Sequence, residues 1–338
     1  MKKAKHYFLS ANTNEGFWNF FNHATEEGGF VYVLKGGPGS GKSTLIRRVG
    51  EYFMSKGEAV DYYHCSSDCL SLDGVFLAER GVAVVDGTSP HTMDADIPSV
   101  NSKIVNLGSA IGMGVKASAS EIQRRYEEKR KNYSYLYQAL KCAGGIYRLN
   151  GEIEEDFLTK QDEDKMVERI ICKFTPLEKS PKIPRHMFMR VLGDDGEIDY
   201  QFQNEFDRKI KLRAGLFIGS RVLKRVAEEL ANGGERVICF HDYLSPDLIC
   251  SVYVETRGVL IERENRTASL IKCPHIDMLV NNDHVIDSLI GYAGKCLKKA
   301  KEEHFEAERI YSEFVDFEKI NTKTSEVIDD IKTNFPIF

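Results

Sequence analysis

The segment GGPGSGKST, residues 36–44, has the residue types and the spacing of a phosphate-binding loop. It matches the pattern G-x-x-x-x-G-K-[ST] in full, through Gly36, Gly41, Lys42 and Ser43. Glycines let the backbone direct its N–H groups at a phosphate, and the start of a helix adds partial positive charge. We expect Lys42 to reach the β- and γ-phosphates and the Ser43 hydroxyl to coordinate Mg²⁺. The predicted nucleotide-binding residues are Gly36, Gly37, Pro38, Gly39, Ser40, Gly41, Lys42, Ser43 and Thr44.

A carboxylate for the metal is expected at Asp86, which follows the continuous apolar run of residues 82–85. Such a run is typical of a buried parallel strand, and an acid at its end holds the hydrated Mg²⁺ of a phosphate-binding loop. Ser43 and Asp86 are therefore the predicted metal-binding residues, while a simple Asp-Gly hairpin turn is the alternative. Gly87 follows Asp86, so the adjacent glutamate that activates water in many ATP hydrolases is missing.

Further polar side chains follow the run at residues 59–63, which predicts a second strand ending near His64. His64 and Asp73, with Lys42 and Asp86, are the predicted catalytic residues, because strand ends of this kind open on the nucleotide edge of a parallel sheet. Asp68 and His91 are additional candidates for contact with the γ-phosphate. The alternative is that the aspartates cap loops and the histidines pack.

The elements around the loop fit this chemistry. A strand at residues 30–34 precedes it, and residues 45, 46, 49 and 53 after it have the spacing of one helical face. Further strands are predicted at 60–64, 82–86 and 104–107, and later at 208–213, 236–241 and 258–262. The predicted fold class is α/β, with duplicated three-layer α/β/α cores of the P-loop NTPase type, mainly parallel sheets, and a helical arm after each core.

Internal similarity indicates the duplication. Residues 45–64 align without gaps on 222–241, an offset of 177, and the same offset carries 79–87 onto 256–264. "KHYFL" at residue 5 returns as "RHMFM" at residue 185. The second copy places Gly219 at the position of Lys42 and Arg263 at that of Asp86, so we expect no phosphate binding there. An alternative role is an arginine finger toward the first site, from Arg213, Arg221, Arg257 or Arg263.

Two charged segments with helical spacing, 120–157 and 286–320, are expected to pair as an antiparallel arm. The cluster Arg124, Arg125, Lys129, Arg130 and Lys131 is interleaved with glutamates and indicates a solvated helix face, rather than a lid or a nucleic-acid contact. The predicted division is a nucleotide-binding core at 1–112, a helical arm at 113–180, a degenerate core at 181–275 and a C-terminal arm at 276–338.

Composition limits the possible partners. The 338 residues carry a formal net charge of -5 and 42% hydrophobic residues, which does not favour a nucleic-acid partner. No apolar run approaches the roughly 20 residues of a membrane span, and the first residues lack a signal-peptide core, so a cytoplasmic protein is expected. The eight cysteines lack paired C-x-x-C spacing and are interpreted as reduced, mainly structural thiols. The cluster His64, Cys65 and Cys69 is a weak metal candidate.

The motifs GGPGSGKST, "HCSSD" and "VVDGTSPH", together with the second copy, resemble a bacterial family of uncharacterised predicted ATPases built from two P-loop halves. In that family the second half also tends to carry a GK[ST] loop, from which this chain departs. The resemblance implies nucleotide binding without naming a substrate, and ATP and Mg²⁺ are the expected ligands. An Mg²⁺-dependent ATPase or nucleotide-driven switch is the first hypothesis, with a protein partner at the helical arms.

Two alternatives remain. The loop is also similar to that of nucleoside monophosphate kinases, although Ser43 stands where those enzymes normally continue with glycine and threonine. A non-hydrolysing nucleotide-binding scaffold is the other.

Overall fold

Two β-sheets pack face to face at the centre of the protein. The structure is a computed structural model that describes residues 4–26, 28–157, 163–177, 179–202, 204–264 and 275–337. In chain order, the first part folds into β1 (Lys5–Tyr7), β2 (Ser10–Thr13), β3 (Gly16–Asn19), β4 (Phe30–Lys35), α1 (Lys42–Ser55), β5 (Val60–His64), β6 (Leu72–Leu77), β7 (Val82–Asp86), β8 (Ser102–Asn106) and α2 (Ala119–Phe157). The rest folds into α3 (Glu163–Ile171), β9 (Arg185–Met187), β10 (Arg190–Gly193), β11 (Gly196–Asp199), β12 (Arg208–Leu212), α4 (Leu216–Asn232), β13 (Val237–Asp242), β14 (Ser245–Val254), β15 (Val259–Arg263), α5 (Ile276–Ser312) and α6 (Phe317–Asn334).

The two sheets share one strand order. The first is β1-β5-β6-β7-β4-β8 and the second is β9-β13-β14-β15-β12, which lacks only a counterpart of β8 among the described residues. The outer strand pairs are parallel, and β6 and β14 run antiparallel to both neighbours. Register agrees as well: Tyr63 lies opposite Gly74, and Phe240 opposite Ser251, each 177 residues later.

The predicted strands are present within two residues of their expected ends. The sheets are mainly parallel, as expected, but each contains one antiparallel strand, β6 or β14. The antiparallel strands β6 and β14 were missed. Gly74 lies within β6, and β14 begins with Ser245 and Pro246, and residues of these types are typical of turns. Pro246 is tolerated there because it stands at the start of the strand.

Alternating side chains place each sheet between a helical layer and the other sheet. Val33 and Val85 of the first sheet share an apolar core with Phe240 and Leu260 of the second. On the outer faces, α1 and α6 cover the first sheet, whereas α3 and α4 cover the second. The prediction of three-layer α/β/α cores is therefore wrong, and the order of layers is α/β/β/α. A strand that is apolar on both faces does not reveal whether a helix or a sheet covers it.

Helices α2 and α5 form the expected antiparallel pair. Arg125 contacts Glu303 near one end, and Asn150 contacts Asp283 near the other. The shorter helices then cross over: α3, after α2, packs on α4 of the second sheet, while α6, after α5, packs on α1 of the first. The four predicted ranges therefore do not correspond to four separately packed units. No helix among the described residues has the length and apolar character needed to cross a bilayer.

Candidate functional site

The glycine-rich loop, residues 36–41, joins the end of β4 to the start of α1. Gly39 and Gly41 have φ angles of 65° and 81°, in the left-handed region that favours glycine. A Cβ on Gly36 would lie 2.5 Å from the Ser40 hydroxyl oxygen, which donates to the Gly37 carbonyl at 2.7 Å. The tight turn therefore depends on glycine at these positions. It leads into α1, whose first N–H groups have no partner inside the helix.

Lys42 and Asp86 lie together at this edge of the sheet. The Lys42 ammonium donates to the carbonyls of Gly37 at 2.9 Å and Gly36 at 3.2 Å, and lies 3.7 Å from Asp86 Oδ2. Asp86 reaches it because β4 and β7 are parallel neighbours. Its other oxygen accepts hydrogen bonds from the N–H and hydroxyl of Thr88. A cation and a carboxylate thus flank the start of α1.

Ser43 has a structural contact as well as its predicted metal role. Its hydroxyl oxygen accepts a hydrogen bond from the Leu72 N–H at 2.9 Å, which ties α1 to β6. Ser220 accepts the same bond, also at 2.9 Å, from the Ile249 N–H in the second half. Because Ser220 lacks the neighbouring lysine, this contact serves the fold in both halves. Any contact of Ser43 with a metal comes in addition to it.

Asp73 is brought beside Asp86. Gly74 of β6 pairs with Val85 of β7. The next residue on each strand beyond this pair is Asp73 on β6 and Asp86 on β7. Burial raises the pKa of Asp73 to about 6; nearby His91 lowers it, and Asp86 raises it. The distance from Asp73 Oδ2 to His91 Nε2 is 3.4 Å. Asp73 and His91 thus lie close to Asp86 and to each other.

His64 is engaged elsewhere. Its Nδ1 faces the Cys69 carbonyl at 2.7 Å, so this nitrogen carries the proton, and its Nε2 accepts from His6 Nδ1 at 2.9 Å. His186 and His241 repeat the arrangement, with His241 Nδ1 2.7 Å from the Pro246 carbonyl. Burial lowers the pKa of His64 to about 4 and that of His241 to about 3. A pair present in both halves is a feature of the fold, and the described contacts of His64 do not include the glycine-rich loop.

Asp68, another sequence candidate, forms an ion pair with Lys301 of α5 at 3.1 Å. Its carboxylate therefore helps to attach the helical pair to the loop after β5. Thr44 is exposed on the first turn of α1.

Side chains of the helical pair cover the loop, and the sequence did not identify them. The Gly39 N–H donates to Glu308 Oε1 at 3.2 Å. Lys129 Nζ donates to His304 Nδ1 at 3.1 Å, and burial lowers the pKa of Lys129. Burial also raises the pKa of Glu308 and lowers that of His304 to about 3. Arg124 lies on a solvated helix face, as expected. Lys129, from the same basic cluster, instead contacts His304 beside the glycine-rich loop. No local signal links residues 39 and 308.

The corresponding edge of the second half is built from different residues. Leu216 and Ile218 are buried where the glycine-rich loop stands in the first half, and a Cβ on Gly219 would lie 2.7 Å from Arg263 Cδ. A cavity of about 750 Å³ opens there, beside Asp242 and Arg263. The Ile218 N–H donates to Glu155 of α2 at 2.5 Å, much as Gly39 donates to α5 in the first half.

The four arginines considered as fingers have partners within the second half or its neighbouring helices. Arg213 pairs with Glu264, and Arg221 pairs with Glu163. Arg257 pairs with Glu235, which repeats the ion pair of Arg80 with Glu58 in the first half. Arg263 donates to the Tyr147 hydroxyl. In the described part of the chain these contacts give the arginines structural roles.

Comparison with protein families, with curated proteins and with solved structures gave no match.

Proposed function

We propose that this protein binds ATP with Mg²⁺ at the glycine-rich loop and hydrolyses it, or uses it as a switch. The observation that carries the proposal is the placement of Lys42 and Asp86, 3.7 Å apart, at the junction of a strand, a glycine-rich turn and a helix start. Each has a distinct role: Lys42 neutralises phosphate charge, while Asp86 holds the hydrated metal.

The residues fit such a ligand. The backbone turn at Gly36 packs too closely against Ser40 to accept a Cβ, and Gly39 already donates its N–H to a carboxylate oxygen of Glu308. This contact supports an affinity of the turn for negative charge. Asp86 retains Oδ2 toward Lys42 while Oδ1 is fixed by Thr88, so its orientation is set before a metal binds. Mg²⁺ takes oxygen ligands, which Asp86 and Ser43 supply.

We further propose that the chain is an internal duplication that retains one P-loop NTPase-type site. Support comes from the shared strand order, the shared register and the paired hydrogen bonds of Ser43 and Ser220. Replacement of Lys42 by Gly219 and of Asp86 by Arg263 leaves the second half without the charges needed for a phosphate and its metal.

Movement of the α2–α5 pair is the proposed output of the switch. The pair contacts the glycine-rich loop through Glu308 and the second half through Glu155. A nucleotide that displaces Glu308 therefore shifts the position of α5, which together with α2 contacts both halves. A protein partner at the exposed face of this pair and a cytoplasmic location complete the proposal.

Product analysis tests the enzymatic part. Purified protein is incubated with MgATP, with and without added acceptors, and phosphate and nucleotide products are measured. Release of phosphate that is lost in Lys42→Ala supports an ATPase. Transfer to a nucleoside monophosphate supports the kinase alternative, and binding without products supports the scaffold. A nucleotide panel in thermal unfolding, with and without Mg²⁺, establishes binding independently.

A further inference from the structure

A thiol, a carboxylate and an imidazole converge beside the glycine-rich loop. One ligand atom each from Cys65, Asp73 and His91 lies within 4.8 Å of the other two. Cys65 follows β5, Asp73 lies at the start of β6, and His91 lies in the loop after β7. Three separate segments thus deliver three different donor groups to one point in the interior.

Two of these side chains have buried atoms without hydrogen bonds. Asp73 and His91 are 4% and 7% exposed; within the described residues His91 Nδ1 has no hydrogen-bond partner, and Asp73 Oδ2 has only the 3.4 Å contact with His91 Nε2, which does not form a hydrogen bond. An unsatisfied buried polar atom destabilises the fold, because its hydrogen bonds to water are lost and not replaced. A ligand that these atoms bind in common would remove that destabilisation.

The Cys65 sulfur is a buried thiol that a metal ion would have to deprotonate. Burial raises the pKa of the Cys65 thiol well above its usual range, and the nearby Asp73 carboxylate raises it further. The backbone N–H groups of Ser67 and Asp68 are directed at the sulfur and oppose this shift, and the thiol hydrogen-bonds to Asp73. Because backbone N–H groups stabilise negative charge on an acceptor, they would support the thiolate once a metal ion displaces the thiol proton.

We propose that Cys65, Asp73 and His91 form a binding site for a divalent transition ion of the Zn²⁺ class. Thiolate and imidazole select such an ion over Mg²⁺ and Ca²⁺, which prefer oxygen ligands. Bonds of about 2.0–2.3 Å to a tetrahedral ion place its ligand atoms roughly 3.3–3.8 Å apart, so shifts of about 1 Å close the site. Binding forms a metal–sulfur bond and releases the thiol proton to solvent.

The position of the site gives it a role beyond the proposed function. Three protein ligands leave a tetrahedral ion one position for water or a phosphate oxygen. Asp73 is the cross-strand neighbour of Asp86, so that position lies close to the proposed nucleotide. The glutamate that often activates water is missing after Asp86, and an ion-polarised water is a substitute for it. This role rests on the proposed function, whereas metal binding does not.

Co²⁺ titration of the nucleotide-free full chain tests the site. A thiolate–Co²⁺ charge-transfer absorption should appear and saturate at one equivalent, and Zn²⁺ should displace it. Cys65→Ser should abolish it. His91→Asn and Asp73→Asn should weaken binding by more than about 100-fold, since even outer partners of metal ligands contribute roughly 10- to 100-fold.

The second half offers a matched control. Its register places Asp242 and Cys250 at the positions of Cys65 and Asp73, which is the same pair with its members exchanged. Cys250→Ser should leave the absorption unchanged. Folding of each variant is checked by thermal unfolding, and His91→Asn retains the thiol if Cys65→Ser fails to fold.

Absence of a thiolate absorption in wild type, or its persistence in Cys65→Ser, overturns the site. The two proposals can fail independently. Lys42→Ala should lose ATP binding and keep the Co²⁺ absorption, whereas Cys65→Ser should lose the Co²⁺ absorption and keep ATP binding.

Discussion

Glu308 Oε1 accepts a hydrogen bond from the Gly39 N–H at 3.2 Å, which places a carboxylate of α5 against the glycine-rich loop. Glu155 of α2 makes the related contact with Ile218 in the second half. A glutamate from an arm helix therefore lies near the start of each core helix, where negative charge is favoured. In the first half this carboxylate occupies the surroundings expected for a phosphate.

Removal of the charge at Glu308 should therefore strengthen nucleotide binding. In Glu308→Gln the amide no longer repels phosphate oxygens, and we expect MgATP to bind about three- to tenfold more tightly. Calorimetric titration measures the change. Glu306→Gln, which alters an exposed glutamate paired with Arg309, is the control and should have no effect. Unchanged or weaker binding in Glu308→Gln would contradict competition.

Alanine variants of Ser43 and Ser220 should distinguish a structural contact from a metal contact. Replacing either by alanine leaves a backbone N–H of Leu72 or Ile249 without its partner, and we expect a loss of about 1–2 kcal/mol in the free energy of unfolding. Only Ser43→Ala should also weaken the Mg²⁺ dependence of ATP binding. Denaturant unfolding and calorimetry at several Mg²⁺ concentrations check both parts. Equal Mg²⁺ dependence in the two variants would remove Ser43 from the metal site.

The histidine pairs predict a pH-dependent stability. Burial lowers the pKa of folded His241 to about 3 from 6.5, so the unfolded chain binds the proton first as the pH falls. The contribution of neutral His241 is complete above about pH 6.5 and is lost progressively toward pH 3. Compared with wild type, His241→Asn should therefore be destabilised most at pH 7.5, and the difference should shrink by about 1–2 kcal/mol at pH 5.

Denaturant unfolding at both pH values measures this difference in the free energy of unfolding. His284→Asn, at an exposed position of α5, is the control. A difference for His241→Asn that does not depend on pH would show that the pair is not held neutral by the fold.

A lysine at residue 219 should not create a second nucleotide site. The Cβ of Gly219→Lys would meet Arg263 Cδ at 2.7 Å, and Arg263 also stands at the position of Asp86, the proposed metal ligand. We expect Gly219→Lys to bind about one MgATP per chain, as wild type does. The second half would still lack the backbone turn that binds a phosphate. A measured stoichiometry of two would refute this interpretation of the second half.

The sequence predicts the local parts of this account better than the long-range ones. The spacing of the apolar residues predicts the strand, loop and helix around Lys42. The offset of 177 residues correctly aligns β4, β5 and β7 with β12, β13 and β15. Asp73 was identified, although the strand that carries it was not, because Gly74 resembles a turn residue. The stacking of one sheet on the other did not follow, since apolar alternation does not identify the covering layer.

Contacts between distant segments account for the rest. The grouping of Cys65 with His91 depends on how two loops meet, and the approach of Glu308 to Gly39 depends on the crossing of the arm helices. His64 had the type and place of a catalytic residue, yet its partner His6 comes from a separate strand that the sequence did not reveal.

Binding of MgATP to Lys42→Ala, measured by calorimetry, tests the central claim most directly. Wild type should bind about one MgATP, and the variant should lose more than about 100-fold in affinity because its charge-assisted contacts with the phosphates are gone. Lys56→Ala removes an exposed lysine at the other end of α1 and should bind as wild type does. Full retention of MgATP binding by Lys42→Ala would contradict the assignment of the glycine-rich loop as the nucleotide site.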